Sequence, residues 1–351
     1  MTASVSASAA GQRESTAGAT RESMRDVFVT LEAQRKAALK AFWLTTLICL
    51  CLIPVAILPL AGGVFVMAEH SSDAFMAALR DAGRHFIEPY AEPVFYGAAI
   101  WLGVSLFFLG RYFVRHARQP TWDYIRNFKQ KVLNHLCDVH FPGLSYDPQG
   151  YVGYDEFDAT KLFAYTSDEY RSGDFFGGRT GKTDIHFAEV TAKRERKRFR
   201  DGSFETYYDE FFRGLVFVAD FHKHFHSTTR LVPRDEKLAR VRGQRSVTME
   251  DPEFEEIFAT VSTDQVDVRY VLSTGMVRRF VELNNRFPGM RALFRDEKLV
   301  LALPVRRELF EPSLYRRASS TAQINEFVRD IKSLLQVVDE LNLNTRIWTK
   351  T

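Results

Sequence analysis

Residues 41–68 read AFWLTTLICLCLIPVAILPLAGGVFVMA, a run without a single charged side chain. An α-helix rises about 1.5 Å per residue, so a bilayer core is crossed by roughly 20 apolar residues. This run exceeds that length, and Pro54 and Pro59 let it kink or tilt. It begins about forty residues in and is far longer than the roughly 7–15 apolar residues of a cleaved signal. A second run, residues 93–111, reads PVFYGAAIWLGVSLFFLGR and is closed by Glu92 and Arg111. Trp43, Tyr96 and Tyr112 stand near the ends of the two runs, where amphipathic rings favour the headgroup region.

The flanks orient both runs. Arg21, Arg25, Arg35, Lys36 and Lys40 precede the first, and Arg111, Arg115, Arg118, Arg126, Lys129 and Lys131 follow the second. The link at 69–92 holds Arg80 and Arg84 against Glu69, Asp73, Asp81, Glu88 and Glu92. The positive-inside rule therefore predicts both termini cytoplasmic and an external link, and the compact two-span layout without a eukaryotic targeting signal points to a multi-pass protein of the bacterial inner (cell) membrane. The runs contain few polar side chains (Thr45, Thr46, Tyr96, Ser105), so they read as an anchor and not as a pathway. Ala99 and Gly103 form a small-xxx-small pair suited to close helix approach.

The remainder of the 351 residues reads as soluble. A net charge of +3 is too small a bias to indicate nucleic acid, and three cysteines allow no disulfide framework. Residues 1–20, rich in Ser, Ala, Thr and Gly, predict disorder, and 22–40 a polar helix, so 1–40 form a cytosolic N-terminus. In 112–143, apolar residues at Trp122, Ile125, Phe128, Val132, Leu133, Leu136 and Val139 predict a membrane-proximal basic amphipathic helix. Its basic face would either touch membrane lipid or be solvated.

From 144 to 351 the pattern predicts a cytosolic α+β domain of mixed antiparallel sheet and helix. Asp201-Gly202 marks a hairpin turn. A two-residue loop pairs positions whose numbers sum to 403, which sets Arg198 against Glu205, Arg194 against Asp209 and Lys193 against Glu210. The basic run Lys193–Arg200 thus becomes a ladder beside an acidic strand, and no nucleic acid is expected as a partner. Further strands are predicted near 228–233, 245–250, 256–263, 266–272 and 299–305. Helices are predicted from Ser273 to Arg286 and after the capping box Ser320-x-x-Gln323. The last helix carries Ile324, Phe327, Ile331, Leu334, Val338 and Leu341 in an a/d stripe. That stripe would either pack on the domain's own sheet or join a second copy, making a homo-oligomer.

Three chemical leads fail on spacing. Gly177–Thr183 resembles a P-loop, but position 176 is Phe and a strand pattern follows. His222, His224 and His226 would share one strand face, with neighbours about 6–7 Å apart, too spread for one ion. They remain weak metal candidates. Carboxylates cluster at 251–267, but acid–base work needs two across a cleft, which clustering in sequence does not establish, and no Gly-x-Ser-x-Gly elbow occurs. No catalytic residue and no cofactor is expected.

Residues from about 120 to 315 resemble the bacterial two-span family known as domain of unknown function 3137. The resemblance lies in GRTGKTDIHFAE (178–189), FRGLVFVADFHKHF (212–225), FEEIFATVSTDQVDVRYVL (254–272) and LFEP (309–312). It implies that Gly181, Glu189, Gly214, Asp220, Phe254, Glu255, Phe258, Asp264, Arg269, Leu272, Phe310, Glu311 and Pro312 are motif residues with structural roles. It also implies a membrane or envelope protein partner, and it transfers no catalytic residue. The expected function is a membrane-tethered cytosolic binding or scaffold domain. The alternative is a membrane-bound enzyme or a small-ligand sensor.

Overall fold

The computed structural model describes residues 3–69, 96–97, 99–200, 203–221, 226–237, 239 and 241–343. The chain divides into two compact units, Met1–Phe128 with Pro312–Ser320, and Lys129–Glu311 with Thr321–Thr351.

In the first unit, helix α1 runs over Ala3–Glu69. It begins inside the stretch whose composition predicted disorder. Alanines at 3, 7, 9, 10, 17 and 19 favour helix, and no proline interrupts before Pro54. The portion Met24–Leu58 is long and apolar enough to cross a membrane. Trp43, Leu47, Leu50, Val55 and Leu58 are exposed on it, whereas a core helix of a soluble domain would bury such side chains. Its polar part is strapped to 312–320. Glu32 accepts both Arg35 nitrogens (2.9 and 2.7 Å) and the Ala318 N–H (3.0 Å), and Arg35 donates to the Leu314 carbonyl at 2.5 Å.

The expected second span is only partly described. Residues 70–95 and 98 lie outside the described residues, and with them the link apart from Glu69. Helix α2 occupies 99–113, with Ile100, Trp101, Phe107 and Phe108 exposed. Among the described residues α1 alone has the length and apolarity of a span. A π-helical turn at Val114–Arg118 leads into α3 (Gln119–Phe128).

The second unit opens with another π turn, Lys129–Leu133, and α4 (Asn134–His140). The predicted 121–139 helix is present, and Phe128, Val132, Leu133 and Leu136 of its apolar face are buried, but the face differs at its margins. Trp122 and Val139 are exposed, while Tyr124 and Lys129 are buried. A π turn inserts one residue into the helical repeat and rotates the downstream face, which a 3.6-residue period cannot anticipate.

Among the described residues, nine antiparallel strands then form one sheet: β1 (Leu144–Asp147), β2 (Glu169–Thr180), β3 (Thr183–Arg200), β4 (Ser203–Asp220), β5 (Thr229–Pro233), β6 (Arg245–Val247), β7 (Phe258–Ser262), β8 (Arg291–Arg295) and β9 (Lys298–Pro304). Their order is β1-β2-β3-β4-β9-β8-β5-β7-β6. The β3–β4 register sets Arg198 opposite Glu205, Arg194 opposite Asp209 and Lys193 opposite Glu210, as the charge pattern predicts. Its turn, 201–202, lies outside the described residues. On one face, directly opposed rings form a stack across four strands. Tyr146–Phe176, Phe176–Phe187 and Phe187–Phe217 have centroids 4.6, 4.8 and 5.8 Å apart. The other face buries Val190, Phe212, Val216, Val218 and Ala302 against Val152, Phe157 and Leu162 from the segment around helix α5 (Tyr154–Ala159).

The remaining helices are α6 (Pro252–Ile257), α7 (Gln265–Val271), α8 (Thr274–Arg286) and α9 (Thr321–Glu340). The strand predicted at 266–272 is therefore helix. Asp264 caps it, accepting the N–H groups of Val266 (2.7 Å) and Asp267 (3.2 Å), and Val268, Val271 and Leu272 are buried on one side. The alternating Val266, Val268 and Tyr270 mimicked a strand. On α9, Phe327, Ile331, Leu334 and Val338 are all buried within the chain, so its stripe packs on its own unit.

Candidate functional site

Three backbone irregularities meet at one place in the second unit. The Lys129–Leu133 π turn carries Lys129 inward until it is 8 % exposed. A bulge in β2 between Gly173 and Phe176 leaves Asp174 at φ +54°, in the left-handed region that a non-glycine residue adopts at a cost. The segment after β9 brings Phe310 onto the aromatic stack, 4.8 Å from Phe176, and places Glu311 beside it. Lys129 Nζ donates to Asp174 Oδ2 at 2.8 Å and to Glu311 Oε1 at 2.5 Å. The Tyr146 hydroxyl donates to Asp174 Oδ1 at 2.5 Å.

Burial governs the electrostatics of this cluster. Desolvation pulls the Lys129 ammonium down, but the Asp174 and Glu311 carboxylates outweigh it and hold the pKa above the ordinary lysine value. Lys129 is thus a fixed cation. Burial raises Glu311, opposed by Lys129, and it raises the Tyr146 phenol, reinforced by Asp174, so that Tyr146 stays a hydrogen-bond donor.

A cavity of about 180 Å³ lies in front of the cluster. Glu189 of β3 and Glu311 line it. Arg171, Lys193, Arg213, Arg307 and Glu308 line it as well. Glu189 accepts the Leu309 N–H at 2.8 Å. Burial is the main reason its carboxyl is pushed up to about 7, with the Leu309 bond opposing. Glu189 can therefore hold or release a proton near neutral pH. The cavity shares Leu215, Val305, Arg307 and Leu309 with an open groove of about 420 Å³, further lined by Phe287, Pro304, Arg306 and Leu334.

A second feature is the outer half of the β3–β4 hairpin. β2 pairs with β3 only as far as Lys193, and β9 pairs with β4 only from Gly214. Beyond these points, among the described residues, the two strands have only each other as sheet neighbours. Phe199 and Phe204 face each other edge-on, centroids 5.1 Å apart, yet are 64 % and 73 % exposed. The opposite face carries Arg194, Arg196 and Arg198 against Asp209, Tyr207 and Glu205.

The motif residues separate into site and scaffold. Only Glu189 and Glu311 border the cavity with their carboxylates; Gly214 lines it with backbone. A Cβ at Gly214 would meet the Leu303 carbonyl oxygen at 2.0 Å, so its lack of a side chain lets β9 approach β4. Gly181, at φ +62°, is the first central residue of the tight β2–β3 turn, so the Gly-Lys-Thr sequence is a hairpin turn. Asp220 ends β4 opposite Lys298. Phe254 and Phe258 stack at 5.1 Å, Glu255 accepts the Met249 N–H and pairs with Arg234, Asp264 caps α7, Arg269 is exposed on α7, and Leu272 is buried. Pro312 opens the 312–320 strap of the first unit. Of the histidines, 222 and 224 lie outside the described residues, and His226 is exposed. Among the described residues no three His, Cys, Asp or Glu side chains are grouped to hold a metal ion. Sequence reasoning missed Lys129, Asp174 and Tyr146. No spacing marks them, because a π turn and a bulge bring them in.

Residues 210–343 match the family model described as protein of unknown function (DUF3137). That is narrower than the 120–315 resemblance at its N-terminal side, and it leaves Gly181 and Glu189 outside. No curated protein matches the chain. Among solved structures, the crystal structure of the mycobacterial trehalose monomycolate transport factor A, TtfA, is similar over 62 % of this chain and 94 % of that chain. The identity is 13 % and the TM-score 0.31.

Proposed function

We propose that this chain is a membrane-anchored binding protein of the bacterial inner membrane, both termini cytoplasmic, whose α+β unit holds a protein partner at the cytosolic face. The carrying observation is the outer β3–β4 ribbon. Aromatic rings exposed on one face of a two-stranded ribbon, with arginines on the other, are the side-chain types enriched in protein–protein contacts. The arginines of its other face stand opposite Glu205 and Asp209, which argues against a polyanion or an anionic lipid surface as the occupant. The apolar stretch of α1 supports the anchoring.

The test uses full-length protein. A partner recovered by crosslinking from membranes is purified and its affinity measured against wild type and a Phe199→Ser/Phe204→Ser variant. Both rings are solvent-exposed, so the thermal midpoint should stay unchanged while affinity falls at least tenfold. Equal affinity of variant and wild type overturns the reading. So does recovery of no protein partner together with tip-dependent binding to anionic vesicles.

A further inference from the structure

The cavity beside Glu189 calls for an occupant of its own, independent of the ribbon. Its cations come from four separate stretches: Arg171 on β2, Lys193 on β3, Arg213 on β4 and Arg307 after β9. Carboxylates steady them. Glu169 takes Arg171 at 2.7 Å and Lys193 at 3.3 Å, Glu210 takes Arg213 at 3.1 Å with Glu308 further off at 3.9 Å, and Arg307 is held by Asp330 at 2.6 Å and Glu326 at 3.5 Å. A guanidinium has five N–H donors and a carboxylate engages about two of them, so donor capacity remains for a ligand. Arg306, on the adjoining groove, has no ion-pair partner among the described residues. A volume of about 180 Å³ is below the roughly 300 Å³ at which pockets for drug-sized ligands begin, so one small charged group fits.

We propose that this cavity binds a small anionic group of the phosphate, sulfate or carboxylate class, and that binding is coupled to uptake of one proton by Glu189. An ionised Glu189 would repel the anion from the floor; a protonated one donates a hydrogen bond to it. The groups facing Glu189 set this balance. They are Lys129 from the π turn, Asp174 and Arg171 from β2, Tyr146 from β1, Arg213 from β4, and Arg307, Glu308 and Glu311 with the Leu309 N–H from the segment after β9. Glu311 is paired with Lys129 although burial raises it too, and Glu189, which has no such ion pair among the described residues, is the carboxyl pushed up to about 7. The anion is either free or the head of an amphiphile whose apolar part lies along Leu215, Leu309 and Leu334 in the groove.

Sulfate is the probe, because it does not titrate between pH 6 and 8. It is titrated by calorimetry into the full chain held in nanodiscs of neutral lipid. With Glu189 near 7, its protonated fraction falls about tenfold from pH 6 to pH 8, and affinity should fall with it. Glu189→Gln keeps an acceptor for Leu309 and should bind equally at both pH values. Arg213→Gln/Arg307→Gln should lose binding. Arg171→Gln, at a largely exposed side chain, should weaken it severalfold without touching the fold. Dihexanoyl phosphatidate displaces sulfate at far lower concentration than glycerol 3-phosphate if the head belongs to a lipid, and at the same concentration if the anion is free; the site stands on either result. Absence of saturation at tens of millimolar sulfate at pH 6, or affinity unmoved by the arginine variants, overturns it. An unchanged pH dependence in Glu189→Gln overturns the proton coupling.

Discussion

Lys129 is the residue on which the cluster behind the cavity depends. It is buried with two carboxylates, and a buried charge without its partner costs about 3–5 kcal/mol. Lys129→Met should therefore lower unfolding stability by that amount, read as the shift of a denaturant midpoint. Adding Asp174→Asn and Glu311→Gln removes the orphaned charges and should restore most of the loss. A triple variant no more stable than Lys129→Met would show that the ion pairs are not what Lys129 contributes. Arg230 is a contrasting buried cation. Its guanidinium is met by carbonyls of Lys161 and Ala239 and by Gln244, and burial alone lowers its pKa. Tying loops together, and not pairing charge, is the role this arrangement gives it.

At the scale of elements, strain is concentrated in short connections. The β8–β9 turn has φ +52° at Asp296 and +60° at Glu297, the two-residue turn that matches strand twist but favours Asn-Gly. Left-handed backbone costs an ordinary residue about 1–2 kcal/mol. Asp296→Asn/Glu297→Gly should raise stability by about 1 kcal/mol in denaturant melts, and a fall would mean that the side chains hold the turn. Asp174 has the same backbone strain, but there the strained residue receives Lys129 and Tyr146. That difference separates a turn compromise from a functional irregularity. The ribbon is an irregularity of another kind, because it extends past its sheet neighbours and presents its rings to solvent.

For the whole molecule, the prediction concerns the cysteines. Cys51 is exposed on the apolar part of α1, whereas Cys137 is buried, and burial pushes its thiol up to about 12. In intact membrane vesicles a lipid-soluble maleimide should label Cys51 and a membrane-impermeant one should not. Cys137 should resist both until the chain unfolds. Labelling of Cys51 by the impermeant reagent in intact vesicles would rule out burial of this stretch in lipid.

The apolar helix, the α+β class, the β3–β4 register, α8 and α9 were legible along the chain. Each rests on a local rule: run length for the span, charge complementarity for the register, periodicity for the helices. The strand misread at 266–272 failed on the same ground, since alternation over a few residues also fits one helical turn capped by Asp264. Nothing local marked the cavity. Glu189 and Glu311 were singled out by resemblance alone, and Lys129 was counted only as one of the charges flanking the membrane. Only tertiary structure could join them, because residues 129, 174, 189 and 311 are brought together by a π turn, a bulge and the path of a loop, and such long-range geometry leaves no period in the sequence.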